Sequence, residues 1–320
     1  MSNPEQASPA DDPPVMVGLR RLYASERVRI FLNATRLDPY HERDVAAWRR
    51  VADRFRPDDY LAWMTHWHAD LAYFQQAAEF YRGLSMPLDH VWVLGNTQAE
   101  TQAAREAGFS SAWVNHNAWL DETRFYPRPA NKEFRAVMVC QLAPYKRVHL
   151  AAKVKGLALV PSALFRLHEP ASLSGLSDAT VLAKLPSDQV PTVLARSHAG
   201  LILSAEEGAC YASSEYLLSG LPVVSTPSLG GRDVFYTAEN ACVVDPDPDA
   251  VARGVEMVIA RAPDPWSIHR THVEQSLAFR ARFADEVLGT IFQTNHLTDN
   301  PRDVLAAIFK HKMIAYVSES

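Results

Sequence analysis

The stretch that decides the fold lies in the second half of the chain, at residues 204–235, and reads SAEEGACYASSEYLLSGLPVVSTPSLGGRDVF. An apolar run ends near Ser204 and is followed by two glutamates, a glycine and a helical pattern. Gly208 lets a ligand approach the backbone closely, and the N–H groups of Gly208, Ala209 and Cys210 lie at the positive end of the helix dipole. The segment therefore predicts a strand–loop–helix junction that binds an oxygen-rich or anionic ligand.

Two glutamates in this segment have a spacing that suits a polyhydroxylated ligand. Glu207 lies at the mouth of the junction, and Glu215 lies eight residues further on, inside a helix predicted from about Ala209. Eight residues are about two helical turns, so both carboxylates face nearly the same side. Each can then accept hydrogen bonds from a pair of vicinal hydroxyls. The other interpretation is a pair of surface glutamates at an ordinary junction.

A second loop carries two cations. The segment AVMVCQLAPYKRVHLA, residues 136–151, is a buried strand that ends in a loop with Lys146 and Arg147, and a helix is predicted from about Arg147. A lysine at a strand–helix junction suits a diphosphate, because its compact charge lies beside the N–H donors of a helix start. For Arg147 the sequence leaves open whether it contacts the ligand or is an exposed residue of the first turn.

Outward from these loops, short apolar runs alternate with helical patterns, which predicts an α/β fold with parallel sheets covered by helices. In the first part of the chain the predicted strands are residues 27–35, 59–67, 90–96 and 111–117, and the predicted helices are 41–55, 71–84 and 97–109. In the second part the predicted strands are residues 134–142, 156–163, 179–185, 199–205, 221–226 and 241–245. Long helical patterns follow at residues 267–293 and 301–317.

The polar segment DETRFYPRPANKE, residues 121–133, contains two prolines and lacks periodicity, so we interpret it as a linker. It separates a first domain at residues 16–120 from a second domain at residues 134–293. The acidic, proline-rich residues 1–15 predict a disordered tail, and residues 294–320 predict a C-terminal helix.

Composition excludes several classes of protein. The 320 residues carry 32 basic and 37 acidic side chains, a net charge of −5, which disfavours a dedicated nucleic-acid binder. No apolar run approaches the roughly 20 residues that span a bilayer, and the N-terminus does not have the pattern of a signal peptide. The three cysteines are widely spaced among apolar residues, which favours free thiols in a reducing cytoplasm.

The order of motifs around the first loop resembles the donor site of a known enzyme family. Glu207, seven intervening residues, Glu215, the sequence GLPVV from Gly220 and the pair Gly230 and Gly231 resemble the signature of retaining GT-B glycosyltransferases, especially glycosyltransferase family 4. The resemblance implies that Glu207 contacts the donor sugar and that Glu215 hydrogen-bonds the ribose of the nucleotide.

The resemblance extends to other donor-site residues and has one departure. It implies that the amides of Gly208 and Ala209, with Cys210 and Gly231 beside them, approach the donor, and that Lys146 contacts the diphosphate. Cys140 and Gln141 stand where the family has glycine and arginine, so Gln141 occupies the position of a missing phosphate cation. Arg147 is a candidate replacement for that cation.

The resemblance covers about residues 90–293 and implies the function of each domain. Two Rossmann-like domains would face each other across a cleft, the first binding the acceptor and the second the nucleotide-sugar donor, with the C-terminal helix returning to the first domain. It further implies a retaining, metal-independent, hexosyltransferase-type enzyme of polysaccharide biosynthesis without a cofactor. The acceptor would be a glycan, a lipid-linked molecule or a small molecule.

Two motifs suggest metal binding, and we assign neither to a metal. The motif THWH, residues 65–68, has two histidines on one face of a strand end but no nearby third ligand. Its place resembles the histidine-bearing strand of the family's acceptor domain, so His66 is a candidate for the catalytic cleft. The DPDPD motif, residues 245–249, is better explained by prolines and a helix N-cap.

Two other functions and one further contact remain open. A GT-B nucleotide-sugar epimerase is one alternative, and a catalytically degenerate partner subunit that binds sugar nucleotides is the other, favoured by Gln141 and the short first domain. Residues 20–56 carry ten arginines against five acids. This excess suits either a solvated helix face or peripheral contact with the inner face of an anionic membrane.

Overall fold

The computed structural model describes residues 19–33, 48–49, 54–161, 173, 175–176, 178–183 and 185–313. The chain divides into two compact units, one formed by Met1–Trp119 and Leu277–Ser320 and the other by Leu120–Ser276. The predicted linker at residues 121–133 falls within the second unit. The predicted tail at residues 1–15 and most of the predicted helix at residues 41–55 lie outside the described residues.

A five-stranded sheet forms the first unit, and its strands lie in the order in which they follow along the chain. They are β1 (Leu19–Ala24), β2 (Arg29–Asn33), β3 (Tyr60–Met64), β4 (Val91–Gly95) and β5 (Ser110–Trp113). Strand β1 is antiparallel to β2 and all other neighbours are parallel. Every residue of β2 and β3 is buried, as expected for parallel strands covered on both faces. The helices α1 (Leu71–Gly83) and α2 (Gln98–Glu106) connect the strands.

A six-stranded parallel sheet forms the second unit, in the order β11-β10-β9-β6-β7-β8. Its strands are β6 (Phe134–Cys140), β7 (Leu157–Pro161), β8 (Thr180–Val181), β9 (Ser197–Ile202), β10 (Val223–Ser225) and β11 (Ala241–Val243). The helices are α3 (Val190–Ala195), α4 (Tyr211–Leu218) and α5 (Pro248–Arg261). Asp247 caps α5 by accepting from the N–H groups of Asp249 and Ala250, which confirms the interpretation of the DPDPD motif.

The helix predicted from about Arg147 is wrong. Two 3₁₀ turns, Pro144–Lys146 and Val148–Ala151, occupy that part of the chain. Arg147 separates them with a left-handed backbone, φ 49°, which a continuous α-helix does not tolerate. The helix predicted from about Ala209 begins two residues later, at Tyr211, so Glu207 lies in a loop and not on the helix that carries Glu215.

Helices follow at the end of the chain, and those after Arg282 contribute to the core of the first unit. The helices are α6 (Pro265–Arg282), a π-helical turn (Phe283–Leu288), α7 (Gly289–Thr294) and α8 (Pro301–Ile308). The sequence predicted one helix over residues 267–293, and the π-helical turn interrupts it. Phe283, Val287 and Ile291 pack in the same cluster as Ile30 and Leu32 of β2. Within the described part of the chain, no helix is long and apolar enough to cross a membrane.

Arginines near the start of the chain bind groups inside the first unit. Arg20 donates to the main-chain oxygens of Ile308 and Met313, and Arg27 donates to that of Asn295. Cations suit such C-terminal carbonyls of helices. Arg29 is buried and pairs with Asp59, with Nε at 2.9 Å from Oδ1. The buried Arg29 and the half-buried Arg20 therefore hold parts of the first unit together, whereas Arg27 is exposed.

Candidate functional site

The loop that carries Glu207 follows β9 and is hydrogen-bonded to a second loop, which follows β10 and carries Leu229 and Gly231. Glu207 N–H donates to the Leu229 carbonyl at 3.0 Å, and Leu229 N–H donates to the Ala205 carbonyl at 3.0 Å. Gly231 N–H donates to the Gly208 carbonyl at 2.7 Å. The two loops form a short parallel zipper that fixes the backbone around Glu207.

Lys146 and Glu207 form an ion pair between Nζ and Oε1, which joins the loops after β6 and β9. Burial by itself lowers the pKa of Lys146, but the negative potential of Cys210 and Glu207 outweighs it and raises that pKa above its usual value. Burial also raises the pKa of the Cys210 thiol to about 11. The structure thus brings together two residues that the sequence assigned to one donor.

The neighbours of Lys146 in this loop have protein partners. Arg147 donates from Nε to the Leu203 carbonyl at 2.6 Å and from Nη2 to Thr226 Oγ1 at 2.7 Å. The Gln141 Oε1 atom accepts from the Tyr145 hydroxyl at 3.2 Å. Arg147 therefore holds the ends of β9 and β10 together, and its guanidinium is already engaged in a structural role.

Arg232 is a residue of this site that the sequence analysis missed. Its side chain is fully buried and donates to the carbonyl and hydroxyl of Ser204, both at 2.9 Å, and to the carbonyl of Thr226. It thus ties the end of β9 to the end of β10 just before the Glu207 loop. An arginine after a glycine pair is usually exposed, so only the long-range contacts reveal its position.

Helix α4 carries Glu215, whose side chain is buried, and Cys210 is the residue that precedes the helix. The next residue, Tyr216, is fully buried and its hydroxyl accepts from the Val139 N–H near the end of β6 at 2.6 Å. Tyr216 therefore connects the helix of Glu215 to the strand that leads to Lys146.

Replacing Tyr216 by phenylalanine should lower the free energy of unfolding of the second unit by about 1 kcal/mol, because the Val139 N–H loses its partner. Chemical denaturation measures the change. Tyr236→Phe is the matched control: its hydroxyl accepts from the rotatable hydroxyl of Ser213 and not from a backbone N–H of the described residues, so we expect a smaller loss. Equal losses in the two variants would contradict this account of Tyr216.

His66 lies in the first unit, just after β3, and has a second histidine beside it. The rings of His66 and His116 are T-shaped with centroids 5.8 Å apart. His116 is buried, and its pKa lies well below 6.5 because of burial and of the charge on His66. The sequence analysis did not single out His116, because only the fold brings the ends of β3 and β5 together.

Glu100 is a second residue of this region that the sequence did not reveal. Burial raises its pKa to about 7, although N–H groups of Asn96, Ala69 and Thr97 oppose the rise. Its Oε1 atom lies 3.6 Å from Nδ1 of His68. In the described segments, no group of three or more His, Cys, Asp or Glu side chains is placed to hold a metal ion.

Comparisons with known proteins bear on the second unit and on the fold. Residues 121–265 match the family model Glycosyl transferases group 1. A search of curated protein sequences finds no significant match. Among solved structures, Anabaena Alr3699/HepE in complex with UDP is 20% identical, with a TM-score of 0.53 over 79% of this chain and 75% of that one.

Two further structures show the same likeness. The complex of Anabaena Alr3699/HepE with UDP-glucose is 18% identical, with a TM-score of 0.52 over 83% of this chain and 77% of that one. Sucrose-phosphate synthase from Thermosynechococcus elongatus is 15% identical, with a TM-score of 0.54 over 82% of this chain and 72% of that one. At these identities the likeness concerns the fold, and the family match covers the second unit. The chain therefore has the GT-B fold, and within it residues 121–265 resemble the glycosyl transferases group 1 family.

Proposed function

We propose that this protein transfers a sugar from a nucleotide-diphosphate sugar to an acceptor, and that the second unit binds the donor. The observation that carries the proposal is the Lys146–Glu207 pair at the carboxyl ends of β6 and β9. In a nucleotide sugar the reacting carbon and the nearer phosphate share one oxygen atom. A cation for the phosphate and a carboxylate for the sugar hydroxyls must therefore lie side by side, as these two side chains do.

The donor class and the acceptor side follow from weaker observations. Anabaena Alr3699/HepE binds UDP and UDP-glucose, which supports a uridine nucleotide sugar as the first donor to test. We assign acceptor binding to the first unit and chemistry to Glu207, Lys146 and His66. The acceptor would be a glycan, a lipid-linked molecule or a small molecule, with retention of configuration and without a metal ion, in polysaccharide biosynthesis.

Catalysis in this proposal consists of positioning and of charge stabilisation. As the bond between sugar and phosphate breaks, negative charge develops on the leaving diphosphate, and the Lys146 ammonium is fixed beside it. Glu207 orients the sugar hydroxyls, and Glu215 binds the ribose. The free cysteines Cys140, Cys210 and Cys242 support a reducing, cytoplasmic location.

Glu215→Ala tests the assignment of the nucleotide site. We expect it to weaken binding of UDP by about 1–3 kcal/mol, the value of a charge-assisted hydrogen bond, in calorimetric titration. Glu239→Ala removes an exposed carboxylate of the same unit and should leave UDP affinity unchanged. If UDP binds Glu215→Ala as tightly as the wild type, Glu215 does not hold the ribose.

Turnover separates this function from its rivals. Incubation with radiolabelled UDP-glucose, with and without a panel of glycan acceptors, should give acceptor-dependent release of UDP. An epimerised nucleotide sugar formed without acceptor would indicate an isomerase. Binding of UDP without any turnover would indicate a degenerate partner subunit, which the replacement of a cation by Gln141 would then explain.

A further inference from the structure

In the first unit, the loops that follow the neighbouring strands β3, β4 and β5 lie beyond the backbone hydrogen-bond ladders of the sheet. The β3–β4 ladder ends at the pair Met64 and Leu94, and the β4–β5 ladder ends at Gly95 and Trp113. The loops that carry His66 and His116 begin directly beyond these pairs. Hydrogen bonds from side chains must therefore fix those loops relative to each other.

Asn96, the first residue after β4, supplies these bonds with its side chain. Its Nδ2 group donates to the Thr65 carbonyl at 3.0 Å, and its Oδ1 atom accepts from the His116 N–H at 3.1 Å. A side-chain amide offers an N–H donor and a carbonyl acceptor, as a peptide group does. Asn96 thus continues the hydrogen bonding of the sheet by one step on both sides, where the three backbones diverge.

The backbone of Asn96 is held as firmly as its side chain. Its N–H donates to Glu100 Oε2 at 2.8 Å, and its carbonyl accepts from Asn115 Nδ2 at 3.0 Å and from Trp113 Nε1 at 3.3 Å. The residue is fully buried, and each of its polar groups has a partner. Breaking any one bond would leave a buried polar group unpaired, so this residue has one arrangement available to it.

We propose that Asn96 is the positioning residue that fixes His66 against His116. Asn96 acts through the backbone next to each ring. It binds the carbonyl of Thr65, the residue before His66, and it accepts from the N–H of His116 itself. The inference rests on the proposed function in one respect: a fixed pair of imidazoles matters if the first unit binds the acceptor. The positioning itself is tested on the free protein, without substrate.

The test compares two variants of Asn96 with a matched control by NMR of ¹⁵N-histidine-labelled protein. In the wild type, ring protons of His66 and His116 should show a mutual nuclear Overhauser effect, as their T-shaped contact requires. Asn96→Ala removes both side-chain bonds, so that effect should disappear. Thr65→Val loses only a 3.4 Å contact from Asn96 Nδ2 and retains the bond to the carbonyl, so the effect should persist.

Asn96→Asp keeps the inference testable if the alanine variant does not fold. An aspartate still accepts from the His116 N–H but faces the Thr65 carbonyl with an oxygen in place of a donor. The His66 ring signals should therefore move, while the His116 N–H keeps its protection from hydrogen exchange. A ring-to-ring effect of wild-type intensity in Asn96→Asp and in any folded Asn96→Ala would overturn the inference.

Binding of UDP separates this inference from the proposed function. The Asn96 variants should bind UDP within about twofold of the wild type, because the substitution lies in the other unit. If wild-type protein does not bind UDP, the proposed function fails and the histidine spectra still decide the role of Asn96. If UDP binds normally and the spectra do not change, the proposed function stands and the role of Asn96 is wrong.

Discussion

Replacement of Lys146 by alanine is expected to lower the turnover of the nucleotide sugar by about two to three orders of magnitude. The leaving diphosphate gains charge in the transition state, and Lys146 is the cation that pairs with Glu207 in the proposed donor site. Arg147 will not compensate, because its guanidinium already donates to Leu203 and Thr226. Steady-state kinetics with saturating donor measure the change, and wild-type turnover should survive EDTA.

A matched variant separates the loss of the cation from the loss of the ion pair. Glu207→Gln breaks the same pair but retains the Lys146 ammonium. It should lower turnover while UDP binds at least as tightly as before, because a carboxylate that repels the diphosphate has gone. Lys146→Ala should weaken UDP binding, and Lys146→Arg should recover only part of the activity, since the planar guanidinium cannot occupy the same point. Near-normal turnover in Lys146→Ala would show that another group stabilises the leaving diphosphate.

The parallel sheets were accessible from the sequence because local pattern determines them. Buried parallel strands are short apolar runs. Strands β6 and β10 lie within the predicted strands at residues 134–142 and 221–226, and β9 overlaps the predicted strand at residues 199–205 but begins two residues before it. The sequence analysis did not predict strand β1, because its sequence, LRRLYA, is partly exposed and rich in arginine. One of the arginines that obscured the pattern, Arg20, binds a group far along the chain, the carbonyl of Met313.

The details of the candidate site were harder to predict from the sequence, because contacts between residues far apart in the chain determine them. The sequence gives no sign that Arg147 adopts a left-handed backbone, because its side-chain partners lie 56 and 79 residues further along the chain. The pairing of Lys146 with Glu207 follows from the adjacency of β6 and β9, which only the strand order shows. The motif predicted which residues are candidates for the site, and the fold was needed to show which of them meet.

Gly230→Ala should damage the second unit more than any other glycine substitution that we consider. Gly230 has φ +99°, and a Cβ atom there would lie 1.6 Å from the main-chain oxygen of Glu207. No rotamer change relieves a clash with backbone, so the zipper between the two loops must open. We expect the free energy of unfolding to fall by about 3–5 kcal/mol and UDP binding to be lost with it. Chemical denaturation and calorimetric titration measure the two effects.

Gly175 provides a control that separates backbone strain from the clash. Its φ of +90° is nearly the same, but a Cβ atom there would meet none of the described residues within 4 Å. Gly175→Ala should therefore cost only the strain of a left-handed alanine, about 1–2 kcal/mol, and leave UDP affinity intact. The two variants differ in how much unfolding free energy they lose, and this difference measures the contribution of the close contact between Gly230 and the Glu207 backbone. If Gly230→Ala loses no more stability than Gly175→Ala and still binds UDP, the zipper does not shape the donor site. If it keeps most of its stability but no longer binds UDP, the loops have separated to admit the methyl group, and the geometry of Glu207 depends on their contact.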